Sequence, residues 1–374
     1  MDSDTQPEIN QDILKMMTAT DSYKFSSPEN DMTEGSGNTV QALDLSIGFS
    51  GNRENAGVVF SGINVSAGKG ELVALFGPNG IGKSTLLRSL AKLQIPLSGE
   101  ILIFDENIRN YSRTRLARML GFVSTEIIHV NNLRVRDLVS LGRYPYTGWM
   151  GRLGHDDAEK VDDAINMVSA SHLEHKFIHQ LSDGERQRAM IARTLAQDTS
   201  IIVLDEPTAF LDLPNKYEIV HLLQKLATEK GKTVIFSTHD LNIAIQEAGK
   251  IWLMLEDRVL QGAPEDLILD GSFGKMFENT GLKFNKSRGE FRIRRDHALS
   301  IGLSAPEPER RWTKNALERM GFNVTDPAAA DMSVVIAKNE GATAWELVIG
   351  NSSKLFRGIY DLCRELRHLT PPGK

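Results

Sequence analysis

The stretch Gly77-Pro78-Asn79-Gly80-Ile81-Gly82-Lys83-Ser84-Thr85, entered from the apolar run Leu72-Val73-Ala74-Leu75-Phe76, decides the fold. Its spacing is G-x-x-x-x-G-K-[ST] between an expected strand and an expected helix, the context that a phosphate-cradling loop requires. Gly77, Gly80 and Gly82 let the backbone bend tightly and approach a polyphosphate with no Cβ in the way. Successive N–H groups and the helix N-terminus then face the anion. Lys83 is expected to reach the β- and γ-phosphates, and the Ser84 hydroxyl to ligate Mg²⁺. Asn79 and Thr85 complete the nucleotide-binding set. Leu86, Leu87, Leu90 and Leu93 are expected on one face of the following helix, packed against the sheet. The competing reading is a glycine-rich turn with a chance Lys-Ser. The strand–loop–helix context favours a nucleoside-triphosphate site.

At 374 residues the chain has room for a full core and a second unit. A net charge of −6 and a pI near 5.9 argue against bulk nucleic-acid binding, which favours a basic footprint. Cys363 is the only cysteine, so internal disulfides and cysteine metal clusters are excluded, which fits a reducing compartment. No apolar run reaches the length of about 18 residues that marks a membrane span, and Met1-Asp2-Ser3-Asp4 lacks the layout of a signal peptide.

Residues 1–39 are polar and expected to be disordered, apart from one short helix that Ile13, Leu14, Met16 and Met17 allow. From Val40 a strand is expected in which Leu43, Leu45 and Ile47 alternate with Ala42, Asp44 and Ser46. Phe49, at its end, suits either a core position or the face of a nucleotide base. Residues 131–180 read as helical, interrupted by Gly142-Arg143-Tyr144-Pro145-Tyr146-Thr147-Gly148-Trp149-Met150-Gly151-Arg152, whose composition suits either an interface or a packed Ω-loop. Ser182-Asp183-Gly184 opens a helix with capping chemistry and so forms a second anion site. The buried strand Ile201–Leu204 ends in Asp205, placed to hold the Mg²⁺ shell, and Glu206, placed to polarise an attacking water. Thr233–Thr238 is the next buried strand and ends at His239, within reach of a γ-phosphate.

Together these pieces resemble the ATP-binding-cassette (ABC) ATPases over about residues 40–270. Gly77–Thr85 is similar to the Walker A motif, Leu181–Glu185 to the LSGGQ-type signature, and Ile201–Glu206 to Walker B. Ala209-Phe210-Leu211-Asp212 resembles the D-loop, and His239 the switch histidine. Leu141–Tyr146 with Gly151-Arg152 resembles the subgroup importing ferric siderophores, haem and vitamin B12. The resemblance implies an α/β P-loop NTPase of ABC type, with a mixed sheet core and a helical subdomain. It implies two copies facing head to tail around two ATPs. One copy offers Lys83, Ser84, Asp205, Glu206 and His239; the other offers Ser182 and Gly184, with Asp212 linking the sites. Phe49 becomes the adenine-stacking residue. The implied partners are two polytopic permease subunits with a substrate-binding protein, at the cytoplasmic face of the inner membrane, and no nucleic acid.

Two positions depart from the family pattern. Thr125 stands where a Gln is usual, beside Glu126, which is expected to take part of its role toward Mg²⁺. Asp183 stands where Gly is usual and must turn away or cap its helix. The resemblance covers an ATPase domain at 40–282. Residues 283–374 read as a small α+β domain, in which Glu309–Met320 is a helix burying Trp312, Ala316, Leu317 and Met320. Ser353–Leu369 reads as a second helix with Phe356, Ile359, Tyr360, Cys363 and Leu366 inward. Arg292, Arg294 and Arg295 suit either an anion site or a solvated face. The functional expectation is the ATP-hydrolysing subunit of a bacterial importer for iron-siderophore, haem or cobalamin. The alternatives are another transporter class, or a non-transport or regulatory cassette.

Overall fold

The computed structural model describes residues 37–49, 57–124, 132–147, 153–209, 211–278, 280–293, 299–339 and 342–368. The expected helix at Ile13–Met17 and the Thr125–Glu126 pair lie outside them. The chain forms two compact units. One comprises residues up to His239 with Glu247–Val259; the other comprises Asp240–Gln246 with Leu260 onward.

The first unit opens with β1 (Asn38–Phe49) and β2 (Gly57–Gly68), followed by β3 (Leu72–Phe76) and α1 (Lys83–Leu90). Next come β4 (Ser98–Ile103), β5 (Glu106–Asn107), α2 (Arg113–Ala117), β6 (Leu120–Val123), α3 (Val135–Ser140), α4 (His155–Met167) and α5 (Asp183–Ala196). β7 (Ile201–Leu204), α6 (Leu213–Thr228), β8 (Thr233–Thr238) and, after a break, β9 (Lys250–Met254) complete it. β2, β1, β4 and β5 make an antiparallel sheet in that order. Within this unit β9, β3, β8, β7 and β6 lie side by side, all parallel. β3, β7 and β8 are buried along their whole length, as parallel strands covered on both faces must be. Val40, Ala42, Leu45 and Ile47 meet Val73, Leu75, Val203, Ile235 and Trp252 in one core, which also takes Leu86, Leu87 and Leu90 of α1.

Two expectations are corrected in this unit. β1 changes phase midway, so Ala42 is buried and Leu43 exposed. The cause is a register shift between Ala42 and Leu45, with Asp44 at φ 43°, a bulge that turns the later residues over. α1 stops at Leu90, leaving Leu93 64% exposed. Among the described residues of 131–180, α3 and α4 lie on either side of the expected interruption, whose start falls in the 3-10 turn Leu141–Tyr146, which contains Pro145.

The second unit holds α7 (Leu241–Glu247), most of β10 (Val259–Gly262), α8 (Pro264–Leu269), α9 (Ser272–Lys275) and the hairpin β11 (Leu282–Asn285)–β12 (Glu290–Ile293). It continues through β13 (Leu299–Ser304), α10 (Glu309–Arg319), β14 (Phe322–Thr325), β15 (Met332–Asn339), β16 (Ala342–Ile349), β17 (Ser352–Phe356) and α11 (Ile359–Leu366). The sheet order is β14-β13-β15-β16-β17. The first three strands are parallel, and the last two are added antiparallel. Ile301, Leu303, Val334, Leu347 and Phe356 pack with Leu317 of α10 and Leu362 and Leu366 of α11. The helix expected over Ser353–Leu369 is split. Ser352–Phe356 pairs as a strand, and the helix starts only after Gly358, whose backbone is extended. Trp312 and Tyr360 are exposed rather than inward, and Thr313 takes the buried place on α10, donated to by Trp345 Nε1 at 2.8 Å. Arg292 is held by Glu290 and by Glu318 at 2.8 Å, so it belongs to an ion-paired face; Arg294 and Arg295 lie outside the described residues.

Candidate nucleotide site

The strand register brings the motifs together. Phe76 pairs with Thr238, and Leu204 pairs with Phe236, so the phosphate loop, Asp205 and His239 all leave the same edge of the parallel sheet. Gly77 passes so near β9 that a Cβ would stand 2.9 Å from Met254 O. Gly82 has φ 112°, and a Cβ there would be 2.7 Å from Val59 Cγ1. Only glycine meets both conditions. The resulting cleft holds about 400 Å³ and is lined by Phe49, Val59, Asn79, Gly80, Gly82, Lys83, Ser84, Thr85 and Glu206. Phe49 and Val59 come from the paired ends of β1 and β2 and form an apolar wall beside the loop.

Lys83 is buried and donates to Gly77 O at 2.8 Å and Pro78 O at 3.1 Å. Burial lowers its pKa, while the nearby Glu206 and Asp205 carboxylates oppose that shift. Ser84 Oγ donates to Asp205 Oδ1 at 3.0 Å, and Ser237 Oγ donates to the same oxygen at 2.8 Å. Glu206 Oε2 stands 3.5 Å from His239 Nδ1. The Ser84 hydroxyl and the Asp205 carboxylate are hard oxygen donors side by side, the chemistry a small divalent cation prefers. Among the described residues there is no cluster of three or more His, Cys, Asp or Glu suited to a metal.

Asp205, His239, Ser182, Gly184 and Asp212 do not line this cleft; Asp205 and His239 join it through Ser84 and Glu206, which do. Ser182 caps α5: its Oγ accepts from Glu185 N–H at 3.3 Å, and its own N–H donates to Glu185 at 2.9 Å. The Ser182 N–H and hydroxyl, both donating to the carboxylate, hold the Glu185 carboxyl below its usual pKa, with Lys176 beside it. Asp183 turns to Arg186 at 2.8 Å, so its charge is paired within the first turn. Gly184 lies beside Leu211, which a Cβ would approach to 3.3 Å. Asp212 caps α6 by accepting from Asn215 N–H at 3.3 Å, and Asn215 Oδ1 in turn accepts from Arg188 on α5 at 2.7 Å.

Of the aromatic and Arg segment, residues 142–147 are described and partly internal, while residues 148–152 lie outside the described residues. Arg143 is buried, donates to Asp157 at 2.9 Å and to Ala196 O at 2.9 Å, and stacks 3.9 Å over Tyr146. Tyr146 OH donates to Gln197 O at 3.0 Å, while Tyr144 stays exposed. Reading the sequence missed Val59 and Ser237. Val59 had no motif to mark it. Ser237, inside an apolar strand two residues before His239, is the one signal that was available.

Two family descriptions match the chain: ABC transporter, over residues 60–209, and iron ABC transporter C-terminal domain, over residues 298–367. The uncharacterised ABC transporter ATP-binding protein MJ0873 of Methanocaldococcus jannaschii is 35% identical over 256 residues, spanning 68% of this chain and 87% of that protein. The petrobactin import ATP-binding protein FpuC of Bacillus anthracis is 39% identical over 58% of this chain and 79% of its own. The ferric enterobactin transport ATP-binding protein FepC of Escherichia coli is 37% identical over 56% of this chain and 78% of its own. The solved dimeric structure of the bacterial ABC transporter cassette MJ0796 matches with a TM-score of 0.54 at 27% identity, covering 60% of this chain and 98% of that one. Fold and site define a P-loop NTPase. The chain belongs to the ATP-binding subunits of ABC transporters, and it is an ATPase of that type.

Proposed function

We propose that this ATPase drives an importer for iron carried by a siderophore, with residues 40–282 as the motor and 283–374 as an accessory domain. The observation that carries the mechanism is the meeting of Lys83, Ser84, Asp205, Glu206 and His239 at one sheet edge. Lys83 neutralises phosphate charge, and Phe49 stacks on the adenine. Ser84 and Asp205 would hold Mg²⁺, which when bound would offset phosphate charge. Glu206 accepts the proton of the water whose oxygen attacks the γ-phosphorus as the bond to the ADP oxygen breaks. His239 orients that carboxylate and the γ-phosphate. Ser182 and Gly184 stand away from the cleft, as residues serving a second copy's nucleotide would, with Asp212 between the two sites. Dimer closure on ATP and reopening after hydrolysis then move a membrane-embedded permease.

The siderophore branch is favoured over haem and corrinoid by FpuC and FepC and by the iron-type C-terminal match. No helix among the described residues is long and apolar enough to cross a membrane, in keeping with a peripheral subunit held on the cytoplasmic side by permeases. The test is a pull-down of the tagged protein from gently solubilised native membranes, with Mg·ATP hydrolysis assayed on the eluate. Co-elution of a polytopic protein, and loss of hydrolysis in Glu206→Gln, are expected. A chain that elutes alone overturns the transport assignment.

A further inference from the structure

We propose that Ser237 is the positioning residue that aligns the two acids of the site, an inference that rests on the roles of Asp205 and Glu206 given above. Ser237 lies fully buried on β8, two residues before His239. Its Oγ donates to Asp205 Oδ1 at 2.8 Å and accepts from the Glu206 N–H at 2.8 Å. A hydroxyl supplies one proton and spare lone pairs, so it meets both demands at once. An alanine leaves the Glu206 N–H without this acceptor and removes one of the two hydroxyls that orient Asp205 Oδ1.

Glu206 needs this anchor because its φ is 44°, in the left-handed region that side-chain-bearing residues rarely occupy. Such a conformation persists only where its surroundings over-determine it. The end of β8 does so from two sides. Ser237 takes the Glu206 amide, and His239 Nδ1 stands 3.5 Å from the carboxylate. Ser237 thereby ties the backbone of the base to the carboxylate of the metal-holding acid. Water activation and metal holding share one scaffold.

The experiment compares wild type, Ser237→Ala, Ser237→Thr and Glu206→Gln as full chains. Ser237→Ala is expected to lower kcat for Mg·ATP hydrolysis about 10- to 100-fold, the scale of a misplaced reacting group. It is also expected to raise the Mg²⁺ concentration for half-maximal rate. Affinity for a fluorescent ATP analogue in EDTA should match wild type, and Ser237→Thr should recover the rate. If Ser237→Ala loses metal-free binding along with hydrolysis, Ser237 is structural and the proposal is overturned. If Glu206→Gln is inactive while Ser237→Ala matches wild type in rate and Mg²⁺ dependence, the proposal fails and the site reading stands. If Glu206→Gln hydrolyses normally, the site reading itself falls, and the proposal with it.

Discussion

Arg143 and Asp157 show how one ion pair turns an arginine of a loop-like sequence into part of the interior. Their side chains are 9% and 15% exposed. Burial alone would raise the Asp157 pKa, but the Gly154 N–H and the Arg143 guanidinium hold it below the usual carboxylate range. A lowered folded-state pKa stabilises the fold fully above the unfolded value, about 3.9, and that stabilisation is lost as pH falls through the folded value. Asp157→Asn is therefore expected to cost about 1.5–3 kcal/mol at pH 7, the scale of a charge-assisted hydrogen bond. Urea unfolding at pH 7 and in strong acid should show the gap between variant and wild type closing as the carboxylate protonates. An equal gap at both pH values would remove the ion pair from the explanation.

At the scale of elements, close approach and helix length both give checkable consequences. Gly142 lies so near α5 that a Cβ would stand 2.1 Å from Arg193 O, a backbone atom that has little room to yield. Gly142→Ala is expected to destabilise by about 1–3 kcal/mol through overpacking, read as a lowered Tm. The end of α1 makes a paired test. Leu90 is fully buried, and Leu90→Ala should cost about 2–5 kcal/mol. Leu93 lies beyond the helix and is exposed, so Leu93→Ser should stay within about 0.5 kcal/mol of wild type. Similar losses at both positions would mean that the helix continues to Leu93.

At the scale of the whole molecule, the proposed function asks for two copies of the chain around each nucleotide. The cleft gathers the phosphate loop and Glu206, and Ser182, Gly184 and Asp212 are not part of its lining. Glu206→Gln keeps the phosphate loop but loses the proposed base, so it is expected to accumulate as a dimer in Mg·ATP and as a monomer in ADP. Size-exclusion chromatography with light scattering reads this directly. A monomer under both conditions would count against nucleotide sandwiching by this chain.

The sequence alone determined the phosphate loop, the acidic end of β7, His239 and the capped start of α5, because each rests on short-range chemistry. Glycine conformational freedom, a lysine at fixed spacing and acids closing an apolar strand are all written within a few consecutive residues. The buried parallel strands were legible for the same reason, as continuous apolar runs. Only the tertiary structure decided the rest. The bulge at Asp44 reversed the phase of β1, and pairing with β16 made Ser352–Phe356 a strand where its pattern read as helix. Val59 joined the nucleotide wall through its place beside Gly82, and Ser237 met Asp205 and Glu206 across neighbouring strands. These contacts join residues far apart in sequence, and the register of strands brought together only in the fold sets which of them meet.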